Sequence, residues 1–320
     1  MAAERGTTLT ELQRYLAEEV AEDHADGIIT RREAMRRLGL LGVTASAATA
    51  MLTRAAEAAA APRRPASRPR HGDGRTEEWA PVPREDITFP GPRSTLMGAW
   101  APAEHSRGGV LVIHENRGLT EHIREVAGRF AANGWSALAL DLLSEQGGTG
   151  SFPDEAAVGA ALSGIPPENF DADMQAALTE LQRRLPGQGL AAIGFCFGGG
   201  MVWRLVTSGE QRLDAAAPFY GPFPEGERQI SGRPAVLGVY AGLDDRVNAT
   251  RDAARAALEA ARVRHKILVF TEAQHAFFNN TNPDRFNAPA AAEAWRRVDK
   301  WFGRHVDHDH DDDDDHEGGH

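Results

Sequence analysis

The 320-residue chain has one cysteine, Cys196, which excludes any intrachain disulfide. It also lacks a comfortable membrane span: the mildest apolar stretch, Leu38 to Leu52, is short and built of small residues. No internal repeat is visible. A strong charge of one sign is missing too, once the C-terminus is set aside. The formal charge is −11, but residues 305–320, HVDHDHDDDDDHEGGH, hold eight acids and no Lys or Arg, so the remainder carries only −3. Such a chain offers no basic footprint for nucleic acid.

Composition divides the sequence into three parts: an Ala- and Arg-rich extension over 1–75, a core over 76–304 and an Asp/His tail over 305–320. In the extension, Leu9, Leu12, Leu16 and Val20 fall on one helical face. Thr30-Arg31-Arg32, then Arg36-Arg37 and the mild apolar stretch, resemble a twin-arginine export signal, with A-x-A-like cleavage sites near Ala58 to Ala61. Ala34 stands where a phenylalanine is usual, and 29 residues precede the motif. The expectation is export to the periplasm or beyond by the twin-arginine translocation machinery; an Ala-rich helical extension of a cytoplasmic protein is the competing reading. Before the extension meets the core lies a Pro/Arg-rich linker, APRRPASRPRHGDG. The tail holds five of the twelve histidines and could bind Zn²⁺, Ni²⁺ or Cu²⁺ weakly, but without fixed ligand spacing it reads as a solvating acidic segment. No metal or cofactor is expected.

In the core, strand-like and helix-like segments alternate. REDITFP and STLMGAWAPA read as an antiparallel pair joined by a tight turn. GGVLVIHE, WSALALDLL, the short run Leu190 to Ile193, LDAAAPFYG and RPAVLGVYAGLDD read as further strands and RHKILVFTEAQHAFF as a strand and loop, most of them continuous apolar runs, with amphipathic helices between several of them. That pattern predicts a mostly parallel sheet with antiparallel edge strands and helices on both faces. Ligands bind such sheets beyond the carboxyl ends of the strands.

Cys196 lies in AAIGFCFGGGMVW, between a strand and a helix, in the frame Gly194-Phe-Cys196-Phe-Gly198. This is a G-x-C-x-G version of the nucleophile elbow, whose glycines let strand and helix pack closely. The helix N-terminus favours thiolate. A free cysteine is often only a small buried hydrophobe, but a glycine-bracketed turn is a poor place for one. Asp244 and His275 fall at later strand ends, 48 and 31 residues on in turn, giving the order nucleophile, acid, histidine of the α/β-hydrolase triad. Asp245 is the rival acid. His114 ends another strand and is a pocket or supporting group, whereas Asp141 reads as a turn anchor.

Together GFCFGGG, YAGLDDRV, EAQHAFF and VIHENRGL resemble, in motif and order, the dienelactone hydrolases, α/β-hydrolases with a cysteine nucleophile. The resemblance covers roughly residues 80–303. It implies a hydrolase of small carboxylic esters or lactones that works through an acyl-cysteine intermediate. Cys196 would be the nucleophile, His275 the proton carrier, Asp244 its orienting acid and Glu115 the acid that bonds the resting thiol. Backbone N–H groups of Phe197 and Asn116 would hold the oxyanion. The family's substrate-carboxylate arginines have no matching positions here; Arg117 and Arg246 adjoin the motifs and are candidates for substrate binding. A general carboxylesterase or thioesterase stays open, as does a non-catalytic small-molecule-binding protein on the same fold.

Overall fold

The computed structural model describes residues 9–60, 83–226, 229–232 and 234–307. The whole Pro/Arg-rich linker, which begins at Ala61 of the cleavage region, and most of the Asp/His tail lie outside the described residues. In chain order the elements are α1 (Glu11–Ala25), α2 (Arg31–Leu40), α3 (Ala45–Ala60), β1 (Glu85–Pro90), β2 (Thr95–Ala101), β3 (Gly109–Ile113), α4 (Glu121–Ala132) and β4 (Ser136–Asp141). Then come α5 (Glu155–Ser163), α6 (Pro167–Arg184), β5 (Leu190–Phe195), α7 (Phe197–Thr207), β6 (Ala215–Phe219) and β7 (Ala235–Ala241). The last are α8 (Asp245–Asn248), α9 (Arg251–Ala260), β8 (His265–Phe270) and α10 (Ala288–His305).

The chain forms two compact units, and they divide it differently from its composition. Among the described residues, 152–165, inside the expected core, cluster with 9–60, and the remainder forms the second unit. The first unit is helical. Thr10 caps α1 reciprocally with Gln13, and Thr30 caps α2 by accepting from the Glu33 N–H. Arg36 and Arg37 bond Glu33 on their own helix and pair with Asp154 and Glu155 at the start of α5. Helix α5 is not apparent in the sequence, because small residues on all sides give it little amphipathic contrast; its one clear mark is the cap Asp154, which accepts from the Ala157 N–H. Among the described residues no helix is long and apolar enough to cross a membrane.

The second unit carries one eight-stranded sheet in the order β1-β2-β4-β3-β5-β6-β7-β8. Only the β1–β2 and β2–β4 pairs are antiparallel. Every residue of β3, β4, β5, β6 and β7 is buried, as continuous apolar strands covered on both faces must be, while β1 and β8 are partly exposed at the edges. The connection from β3 moves to β4 on one side, and the next, through α6, passes back over β3 to β5. Right-handed crossovers therefore put α4 and α6 on opposite faces. Phe130 of α4 packs on Trp295 and Phe302 of α10, which shares its face, and Phe170 of α6 packs on Phe197 at the start of α7.

The strand-to-helix turn at Cys196 is the tightest point. A Cβ on Gly198 would lie 2.4 Å from the Ile113 carbonyl oxygen and 2.5 Å from that of His114. One on Gly194 would lie 2.2 Å from the Gly198 carbonyl oxygen. Gly198→Ala is expected to cost roughly 1–3 kcal/mol or more, since backbone cannot step aside. Gly39→Ala, at an open helical position, should instead stabilise by about 0.5–1 kcal/mol. Urea unfolding of both variants measures the contrast; equal effects would refute the steric account.

Candidate active site

Four strands deliver polar groups to one edge of the sheet. β5 ends at Cys196, which caps α7 with φ 57° and ψ −120°, a left-handed conformation held by the bonds around it. Its N–H donates to the Phe219 carbonyl (3.1 Å), and its carbonyl accepts from the Gly200 N–H (3.1 Å). Phe197, the next residue, is the first of α7, so its N–H belongs to the helix N-terminus.

β7 leads to Asp244, which caps α8: one carboxylate oxygen accepts from the Val247 N–H (3.0 Å), and the other lies 2.6 Å from His275 Nδ1. Asp245 is the first residue of α8 and is exposed. His275 lies in the turn after β8, and the acid and histidine loops are joined by a Leu243 N–H to Ala273 carbonyl bond. Asp244 and His275 are 0% and 2% exposed. A ring nitrogen of His275 lies within 4.8 Å of the Cys196 sulfur. Among the described residues Nε2 has no hydrogen-bond partner, yet the sulfur is near enough to act on the ring charge.

Burial alone would lower His275, but the Asp244 carboxylate and the Cys196 sulfur outweigh it and hold the imidazole well above its ordinary value. Burial would raise Asp244; the His275 charge and hydrogen bond, aided by Arg246 and the Val247 N–H, bring it below the usual carboxylate range instead. Tyr220 packs its ring on His275 at 5.2 Å. Burial, with the charges of Glu115 and Cys196, pushes its phenol well above 10, so it stays protonated.

β3 delivers His114 and Glu115. His114 is fully buried; its Nδ1 faces the Glu115 carbonyl (2.6 Å), and its Nε2 accepts from the Leu142 N–H (3.1 Å). Nδ1 is therefore the protonated nitrogen, and burial lowers the group further toward that neutral form. His114 thus ties the ends of β3 and β4 together. Asp141, the turn anchor, accepts from the Leu143 and Thr149 N–H groups and the Thr149 hydroxyl, whose oxygen accepts from the Leu119 N–H. Glu115 is buried and accepts from the Asn279 side-chain amide (2.7 Å). Asn116 and Arg117 follow, both half-buried. Arg246 is near enough to help lower Asp244, and Arg117 is near enough to help lower His122 at the start of α4. Asn279, Asn280, His122 and Tyr220 carry no pattern in the sequence that marks them out; only the fold brings them to this edge.

Such a sheet, with a glycine-bounded turn at the end of β5 and a buried His–Asp pair at the same edge, defines an α/β-hydrolase. The model of the dienelactone hydrolase family matches residues 98–306. A protein of Escherichia coli O157:H7 named "Putative carboxymethylenebutenolidase" is 30% identical over 210 residues, 60% of this chain and 75% of its own length. One of the same name from Saccharolobus solfataricus is 28% identical over 261 residues, 69% of this chain and 98% of its own. Among solved structures, a dienelactone hydrolase-like promiscuous phosphotriesterase from metagenomic libraries superposes with TM-score 0.62 at 26% identity, covering 71% of this chain and all of that one. The chain belongs to the dienelactone hydrolase family, and it is a hydrolase.

The His275–Asp244 pair makes a signed prediction. A raised His275 contributes stability that is complete below its unfolded value of about 6.5 and is lost as pH rises through the folded one. A depressed Asp244 contributes stability that is complete above about 3.9 and is lost as pH falls through its folded value. The stability difference between parent and Asp244→Asn should therefore be largest between about pH 4 and 6.5 and shrink on both sides. Urea midpoints across pH measure it, with exposed Asp245→Asn as the variant expected to stay parental. A flat difference would refute the pairing.

Proposed function

We propose that the protein hydrolyses small carboxylic esters or lactones through an acyl-cysteine intermediate, with a Cys196-His275-Asp244 triad. The observation that carries this reading is the seat of the single thiol: a left-handed helix cap beside a buried His–Asp pair. The imidazolium favours the Cys196 thiolate, which adds to the substrate carbonyl carbon. Phe197 and Asn116 N–H groups receive the oxyanion. The tetrahedral adduct collapses as the C–O bond breaks, and His275 gives its proton to the departing alkoxide. Neutral His275 then takes a proton from water, whose oxygen attacks the thioester. Cys196 leaves as thiolate beside the re-formed imidazolium, and the carboxylic acid departs. Asp244 keeps the ring oriented and stabilises its charged form throughout.

The relatives named carboxymethylenebutenolidase favour an enol-lactone substrate; Arg117 and Arg246 are then the groups that would meet a substrate carboxylate. Alkylation of Cys196 should abolish hydrolysis across a panel of esters, lactones and thioesters, and Cys196→Ala should match it. Full turnover after complete labelling would end the acyl-cysteine mechanism. No turnover on any substrate, with ligand binding indifferent to Cys196→Ala, would favour a binding protein.

The extension is proposed to direct export by the twin-arginine route. Supporting this, Arg31 and Arg32 are exposed at the start of α2. Lysine lacks the planar guanidinium, so replacing Arg31 and Arg32 by Lys should strand the protein in the cytoplasm. Fractionation giving the same distribution for variant and parent would refute the route.

A further inference from the structure

The turn after β8 does more than present His275. Four residues on, the Asn279 side chain is 3% exposed and lies between two partners. Its amide oxygen accepts from both the N–H (2.9 Å) and the hydroxyl (2.7 Å) of Thr281. A backbone N–H can only donate, so the assignment of oxygen and nitrogen is fixed. The NH₂ must therefore face Glu115, and it donates to Oε2 at 2.7 Å.

We propose that Asn279 is a positioning residue for Glu115: a locked neutral donor that fixes the orientation of the buried carboxylate beside the Cys196 turn. Glu115 is one residue past His114, whose carbonyl touches the elbow at Gly198, and both Glu115 and Cys196 act on Tyr220. The carboxylate thus sits on the segment that borders the Cys196 turn. An N–H donated to a carboxylate favours its ionised form, and a nearby anion opposes thiolate. Through this one bond Asn279 sets how strongly Glu115 restrains Cys196. The neighbouring Asn280 reinforces the contact: its side-chain oxygen lies 3.1 Å from Nδ1 of His122 in α4. Burial first, then Arg129, lowers His122 to about 4, so near neutrality it is uncharged, and its Nδ1–H donates to Asn280. Two adjacent asparagines thereby fasten the histidine loop to the segment that carries Glu115.

This inference rests on Cys196 being the nucleophile, but the test reads the thiol itself. The pH profile of Cys196 alkylation by iodoacetamide, with kcat and KM on an ester, is measured for the parent, Asn279→Ala, Glu115→Gln and the double variant. With its donor gone, Glu115 keeps its proton more readily. Asn279→Ala should therefore move the alkylation midpoint to lower pH and change kcat by about tenfold with little change in KM. In the Glu115→Gln background the same substitution should change neither by more than about twofold. Equal effects in both backgrounds, or an unmoved midpoint in the parent background, would overturn the assignment. If Asn279→Ala does not fold, Thr281→Val, which removes one of the two bonds locking the amide, should give a smaller shift of the same sign; no shift would overturn the proposal. Ester turnover surviving in Cys196→Ala would end the acyl-cysteine mechanism and leave the alkylation cycle to judge Asn279 by itself.

Discussion

The structure turns on a point where there is no room for a side chain. β5 must pass into α7 while β3 ends alongside, and the Ile113 and His114 carbonyl oxygens come within 2.4 and 2.5 Å of where a Gly198 Cβ would sit. That approach brings the end of β3, with Glu115, up to the elbow. It also requires Cys196 to take positive φ, which the hydrogen bond to Phe219 and the start of α7 enforce. The residue between these constraints has little backbone freedom, so the direction of its Cα–Cβ bond is set by backbone packing.

Electrostatics then decides what that sulfur faces. A buried ion pair is expensive to desolvate and is justified only by good geometry and further hydrogen bonds. Asp244 has both: 2.6 Å to His275 and a helix-cap bond from Val247. Its second oxygen is occupied by backbone, so the acid cannot turn from the ring without leaving an N–H unpaired. This separates Asp244 from Asp245, one residue away, exposed and able to satisfy its charge in water.

Much of this was legible in the sequence. The glycine frame around Cys196 reports a backbone need, and backbone needs restrict residue type sharply. The strands were legible because full burial leaves continuous apolar runs, and so was the antiparallel pair, which a short turn joins. Asp244 stood out only as a member of YAGLDDRV, with Asp245 beside it as the rival. Other features were not legible, because they depend on which loops meet. Asn279 means nothing in FFNNTNPD until the fold places it 2.7 Å from a residue 164 positions earlier. The double use of His114 by backbone groups needs the β3–β4 neighbour relation, and α5 has too little amphipathic contrast to stand out.

The three histidines of this edge show how one side chain is given different states. His275 has an anion on one nitrogen and a sulfur near its ring, and it is held toward the cation. His114 and His122 are also buried, but their bonded partners are a carbonyl, a backbone N–H and a side-chain amide, none of which compensates a full charge for desolvation. Both are lowered, His122 to about 4. The ties that hold the loops, His114 to Leu142, His122 to Asn280 and Asn279 to Glu115, therefore have uncharged donors. A change of charge on the His275 ring would therefore leave these uncharged ties in place, because none of their donors shares its proton.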